Sequence, residues 1–297
     1  MSLDVEQVII AWRECRLEIE YAWINRQHAD APLIVFLHDG LGCISMWRDY
    51  PQQLCNALSM RGLVFSRYGY GYSAWRSPSE QWGADFLQVQ ACELIPSMLA
   101  ELGVAGPVWL YGQSDGGSIA LIMAAHQPLP VAGAIVTAPH IMIELVTVKG
   151  IHDARAAFAQ GELKRGLARH HRDPDAVMQG WGGSWLAPGA RDWNILPLLA
   201  RIRCPLLAMQ GKQDHYGSME QIRAIRRLAP HARLLELEDC GHIAHQDKTA
   251  EVLHASASFI RAACPRPQWQ QLPHWPWPPG PAAAADSVLD KDTRRPR

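Results

Sequence analysis

Apolar residues along this chain recur in two rhythms. Short runs rich in β-branched and aromatic residues stand at 8–12 (VIIAW), 17–24 (LEIEYAWI), 32–40 (PLIVFLHDG), 62–69 (GLVFSRYG), 107–112 (PVWLYG), 131–139 (VAGAIVTAP), 204–214 (CPLLAMQGKQD) and 232–242 (ARLLELEDCGH). Bounded by turn-forming residues, they predict eight strands. From the third onward most are nearly unbroken in their apolar character, as expected of parallel strands covered on both faces, whereas the first two alternate like an antiparallel edge. Between the later strands, 85–103 (DFLQVQACELIPSMLAELG) and 219–230 (MEQIRAIRRLAP) carry apolar residues at three- and four-residue steps and predict helices. Strands alternating with helices imply a mostly parallel α/β sheet with helices on both faces.

Two stretches depart from this rhythm. From Glu144 to Trp193 the chain offers helical segments followed by the Trp- and Gly-rich DAVMQGWGGSWLAPGARDW, which reads as a helical cap inserted at 144–193 into a core of 1–143 and 194–264. After Cys264 the composition shifts to proline and alanine with a basic end, so 265–297 is expected to be a largely disordered tail without a catalytic role. Residues 118–143 hold no Asp, Glu, Lys or Arg, but HQPLP interrupts them; a buried helix followed by a buried strand is expected, with no membrane span.

Composition narrows the function only by exclusion. The net charge is −1, and no long basic run precedes the last few residues, so nothing points to a nucleic acid partner. The 7 cysteines are scattered without a C-x-x-C pair, and their odd number suits reduced thiols. With an acidic start that lacks the pattern of a secretion leader, this predicts a cytoplasmic location.

The chemistry concentrates at three strand ends. In YGQSDGGS, Ser114 lies between Gly112 and Gly116, after one apolar run and before another. A strand that reverses tightly into a helix needs small residues two before and two after the serine, and such a turn holds the hydroxyl above the sheet edge. A serine hydroxyl is a poor nucleophile unless a base, itself oriented by an acid, takes its proton. Asp214 follows the seventh apolar run and His242 the eighth, in the order this architecture uses. Glu144 and Asp239 compete with Asp214 for the acid, and His245 competes with His242 for the base. No H-E-x-x-H or clustered acid and cysteine set accompanies the histidines, and no phosphate-binding or dinucleotide fingerprint occurs, so neither metal nor cofactor is expected. His38 reads as a buried, hydrogen-bonded loop residue, and Cys43 and Cys240 as small core fillers. Trp181, Trp185 and Trp193 could be either cap core or pocket wall, with Trp181 and Trp185 the candidates for substrate contact.

GQSDGG, HDGLG, GKQD and CGH together resemble the α/β-hydrolase superfamily, over about residues 8–263. The resemblance implies the α/β-hydrolase fold, an eight-stranded, mostly parallel sheet flanked by helices with a small helical cap. It also implies a cofactor-free serine hydrolase acting on a small-molecule acyl substrate, with Ser114, Asp214 and His242 as its triad. The oxyanion would be held by the N–H of Gly40, with Leu41 as alternative, and by that of Asp115; Asp39 stands where the family usually has glycine. SRYGYGYS resembles the turn D-x-x-G-x-G-x-S with Ser66 in place of the usual Asp, and Arg67 is expected to brace loops near the site. Esterases share this triad with lactonases, thioesterases, perhydrolase-like enzymes and carbon-carbon bond hydrolases, whereas the serine argues against dehalogenases and epoxide hydrolases. A non-catalytic binding or regulatory protein on the same fold is the rival of another class. S-D-G-G also occurs in similar hydrolases of amino-acid esters, in which the acid receives the amino group; against that stands a purely helix-capping role for Asp115.

Overall fold

Each of the eight apolar runs forms a strand of one sheet: β1 (Val5–Trp12), β2 (Cys15–Ile24), β3 (Leu33–Leu37), β4 (Arg61–Phe65), β5 (Val108–Gln113), β6 (Val131–Thr137), β7 (Leu206–Gly211) and β8 (Arg233–Leu237). The computed structural model describes residues 3–264 apart from 77–79, 81 and 84. The tail expected at 265–297 lies outside them. The sheet order is β1-β2-β4-β3-β5-β6-β7-β8. β2 pairs antiparallel with both β1 and β4, and all other pairings are parallel. Burial follows the pattern of the sequence: β3, β5 and β7 are buried at every position, while β1 alternates between exposed and covered residues as an edge.

Two apolar layers sandwich the sheet. On one face Phe36, Tyr111 and Met209 pack with the helices Tyr50–Leu58 and Thr249–Ala263. On the other, Val35, Leu110 and Val136 pack with the helices Asp115–His126 and Glu220–Leu228. The charge-free stretch 118–143 resolves into the buried helix Asp115–His126 and β6, with Gln127 in left-handed conformation ending the helix. The helix expected at 85–103 runs without interruption from Phe86 to Glu101, with a wide π-helical turn at Gln90–Leu94. Pro96 explains the wide turn, because it has no N–H to return to Cys92 and clashes with a regular preceding turn.

Between β6 and β7 the chain forms the helices Leu145–Ala159, Glu162–Leu167 and Pro174–Trp185. The two ends of this segment meet at its base, where Met142 pairs with Asn194 and the Ile195 N–H donates to Ile141 O at 2.8 Å. The carboxyl ends of β3, β5, β6 and β7 lie side by side beneath it, the edge at which parallel α/β sheets bind ligands.

Candidate active site

Ser114 sits at the end of β5 with φ 53° and ψ −119°, a conformation outside the ordinary wells of an L residue. Neighbouring backbone enforces it. A Cβ on Gly112 would fall on the Gly116 carbonyl, and one on Gly116 would fall on the Leu37 carbonyl at the end of β3, so the turn closes only with glycine at both positions. The Ser114 N–H donates to Thr137 O at 2.8 Å, tying the elbow to β6.

From this elbow a continuous chain of contacts runs to Asp214. Ser114 Oγ is 2.8 Å from His242 Nε2, and His242 Nδ1 is 2.9 Å from both carboxylate oxygens of Asp214. An ionised carboxylate only accepts, so Nδ1 carries the proton and Nε2 is left to accept from the serine hydroxyl. Such an imidazole can take the hydroxyl proton. Asp214 is held in turn by the Tyr216 N–H (2.8 Å) and by Gln210 Nε2 (3.2 Å). Burial pushes its carboxyl up, but the adjacent imidazole, the hydrogen bond to it and the Tyr216 N–H together hold it below its ordinary range. Gly211 lets the loop carrying His242 approach β7, since a Cβ there would strike the carbonyls of Cys240 and Gly241.

The competing residues lie elsewhere. Glu144 closes the start of the helix Leu145–Ala159 and accepts from Ser218 N (2.9 Å), Ser218 Oγ (2.6 Å) and Gln221 Nε2 (2.7 Å). Asp239 is exposed at a left-handed turn. His245 is buried between Trp47 and Tyr50, with ring centroids 4.9 and 5.3 Å away.

One buried cation joins the loop after β3 to the residue after Ser114. The Leu41 N–H is taken by Asp39 Oδ1 at 2.9 Å, whereas no acceptor among the described residues takes that of Gly40. Asp39 thus pins its own loop, and of the two N–H groups only that of Gly40 is without an acceptor among the described residues. Arg67, fully buried, donates through Nη2 to Asp39 O at 2.8 Å and faces Asp115 Oδ2 at 3.6 Å. Trp185 Nε1 donates to the other Asp115 oxygen at 3.1 Å. Burial raises the Asp115 carboxyl to about 6 against the pull of Arg67. The side chain is 1% exposed, and its Oδ2, 3.6 Å from the Arg67 guanidinium, accepts no hydrogen bond from any described residue. Trp181 lies directly over Gly40, close enough that any side chain there would enter its indole ring.

A profile of the alpha/beta hydrolase family matches residues 34–255. The chain belongs to the alpha/beta hydrolase family. It is 25% identical over 259 residues to the sn-1-specific diacylglycerol lipase ABHD11 of Mus musculus, covering 78% of this chain and 82% of that protein. Among solved structures it resembles a thermophilic esterase from Thermogutta terrifontis (TM-score 0.68, 17% identity, 87% of this chain and 99% of that one). It also resembles an enol-lactonase from Burkholderia xenovorans (TM-score 0.65, 21% identity, 82% and 97%). At these identities the structural likenesses carry the fold.

This hydrolase contains supporting residues that the motifs did not reveal. Gln113, next to the serine, donates to His242 O at 2.8 Å and accepts from Thr137 Oγ1 at 2.5 Å, fixing the histidine from beneath. Tyr216 stacks its ring 4.7 Å from His242 and meets Trp181 at 6.3 Å. His171 accepts the Gly71 N–H at Nδ1 (2.8 Å) and donates from Nε2 to Leu41 O (2.9 Å), joining the turn after β4 to the loop after β3. Glu20 of β2 accepts from Ser66 Oγ at 2.5 Å and from the Tyr72 N–H at 2.9 Å. Gln113 and Gln210 had a visible signal: each is a polar residue at the carboxyl end of a solidly apolar strand. Glu20 and His171 had none, because their partners are remote in sequence. Among the described residues no three His, Cys, Asp or Glu side chains converge as a metal site, and no helix is long and apolar enough to cross a membrane.

Proposed function

We propose that this hydrolase cleaves carboxylic esters through an acyl-enzyme on Ser114. The observation that carries the reading is the unbroken contact chain from Asp214 through His242 to a serine held at positive φ. As Ser114 Oγ attacks the ester carbonyl carbon, His242 Nε2 takes the hydroxyl proton, and Asp214 stabilises the imidazolium that forms. The carbonyl oxygen becomes an oxyanion and is met by the N–H groups of Gly40 and Asp115, each such donor being worth about 2.7 to 4 kcal/mol in the transition state. The tetrahedral adduct collapses, and the leaving alkoxide receives the proton from His242. Water, deprotonated by the same imidazole, then attacks the acyl carbon and returns Ser114 to its free form.

In this reading the segment 144–193 is a cap, and Trp181 and Trp185 form the wall of the acyl pocket, since one covers Gly40 and the other reaches the residue beside the nucleophile. A fluorophosphonate probe is the direct test, combined with a panel of esters of graded acyl length, acylglycerols, lactones, thioesters and vinylogous diketones. The expected result is labelling at Ser114 and turnover of esters. Labelling of a different serine, or a chain that takes up probe without turning over any ester, overturns it. Preferential cleavage of the lactones or of the diketones keeps the nucleophile and changes the substrate class.

A further inference from the structure

Five histidines are buried among the described residues: His38, His140, His171, His242 and His245. Three have both ring nitrogens engaged. His38 is bonded to Asp39 O and to the Arg67 N–H, His171 to the Gly71 N–H and Leu41 O, and His242 to Asp214 and Ser114. His245 has no partner on either nitrogen, but it is enclosed by the rings of Trp47 and Tyr50 and serves as an aromatic filler. His140 differs from all four. Its Nδ1 is enclosed and unpartnered, no ring hydrogen bond is made to any described residue, and it stands against the reacting groups, with its centroid 5.9 Å from that of His242 and 5.3 Å from Trp185.

The backbone of His140 is held firmly while its ring is left unbonded. Ser118 Oγ donates to His140 O at 2.6 Å and accepts the His140 N–H at 3.0 Å, so the residue is fixed to the helix that begins at the nucleophile elbow. Gly217 lies against the ring, since a Cβ there would come 3.6 Å from His140 Cε1, ordinary contact distance. Burial and the neighbouring His242 drive the imidazole down to about 3, so it is neutral near pH 7. A buried polar ring without a partner is costly, and one whose centroid lies 5.9 Å from that of His242 has a source of partners in a substrate held beside that histidine.

We propose that His140 is a specificity-determining residue that hydrogen-bonds an uncharged hydroxyl carried by the ester close to its scissile carbonyl. This rests on the ester-hydrolase reading of Ser114. A neutral imidazole offers one donor and one acceptor nitrogen, and a hydroxyl matches either by rotating its proton. A methyl group in the same place leaves the ring unpaired, and a carboxylate would lose its hydration on burial against a neutral ring. A site that pairs a substrate hydroxyl rejects the analogue lacking it much more strongly than an apolar pocket rejects an added methylene.

The test uses two pairs of isosteric esters on the full-length enzyme. A β-hydroxybutyrate ester is compared with the isovalerate ester of the same alcohol, and hydroxypropyl butyrate with isobutyl butyrate, so that the hydroxyl is placed once on the acyl side and once on the alcohol side. The wild type should favour the hydroxylated member of one pair by on the order of tenfold or more in kcat/KM. His140→Phe should bring that ratio to about one, and His140→Gln should restore part of the preference. A ratio near one for both pairs in the wild type, or a preference that survives His140→Phe, overturns the proposal. Binding of the same esters to Ser114→Ala, followed by nitrogen NMR of the labelled His140 ring, reads the contact without turnover: a shift with the hydroxylated ester alone supports it, and equal response to both members refutes it. Fluorophosphonate labelling of the wild type, scored in parallel, shows separately whether the Ser114 reading has failed.

Discussion

At the scale of single residues, two histidines three positions apart have opposite environments. His242 has a carboxylate on one nitrogen and a serine on the other, whereas His245 has aromatic rings on its faces and no polar partner. Substitution should separate them. His242→Ala is expected to lower ester turnover by about a millionfold, as for other coupled nucleophile-base pairs, and His245→Phe to leave it within about threefold. Asp214→Asn should cost on the order of ten-thousandfold, because an amide no longer enforces the Nδ1–H tautomer that leaves Nε2 free to accept. Steady-state rates on one ester check all three, and a larger loss in His245→Phe than in His242→Ala would reverse the assignment. Gly112 and Gly116 were legible for the same reason that they are required, since a turn this tight excludes a side chain from the sequence as firmly as from the structure.

At the scale of elements, every strand was legible because apolar runs covered on both faces have few other ways to be buried. The wide turn at Gln90–Leu94 could have been read from Pro96 alone. Contacts between the segment 144–193 and the sheet were not legible, because they join residues far apart in sequence through single side chains: Trp185 to Asp115, His171 to Leu41 and Gly71, Trp181 over Gly40. Composition showed tryptophan and glycine in this segment without telling which indole meets which loop. The two tryptophans now separate. Trp181→Ala removes the ring that covers Gly40 without removing a hydrogen bond to Asp115, and should shift the preferred acyl length toward longer chains by roughly ten- to a hundredfold in relative kcat/KM. Equal losses across the length series would mark Trp181 as packing only.

For the molecule as a whole, buried neutral imidazoles decide the response to acid. Burial lowers His38, His140, His171 and His245, with His140 at about 3 and His245 at about 4. Each is therefore more basic in the unfolded chain than in the fold. Below the ordinary value of 6.5 the unfolded state binds protons that the folded state refuses, so stability falls as pH drops, each ring adding a slope of up to about 1.4 kcal/mol per pH unit. Asp115 acts in the opposite sense: an acid raised from 3.8 to about 6 favours the fold when protonated, so its contribution declines as pH rises through that interval. His245→Phe removes one ring that makes no hydrogen bond to any described residue. Denaturant melts of this variant should show a shallower loss of stability between pH 6.5 and about 4 than the wild type, and parallel curves would show that His245 takes up its proton within the fold.

The turn after β4 carries Ser66, and a carboxylate reaches it from Glu20 on β2. The carboxylate that meets this turn therefore stands on a neighbouring strand and not in the turn itself. Glu20 and Ser66 are consequently one inheritable unit written at two distant places in the chain. Moving the acid from one place to the other in single steps passes through a turn with both carboxylates or with neither. Ser66→Asp alone should be poorly tolerated because it sets a second acid against Glu20 in a buried space, and Glu20→Gln alone because the turn loses its anion. The double substitution should recover a substantial part of the melting temperature lost in each, and a double variant no better than the worse single one would show that the position of the charge, as well as its presence, is fixed.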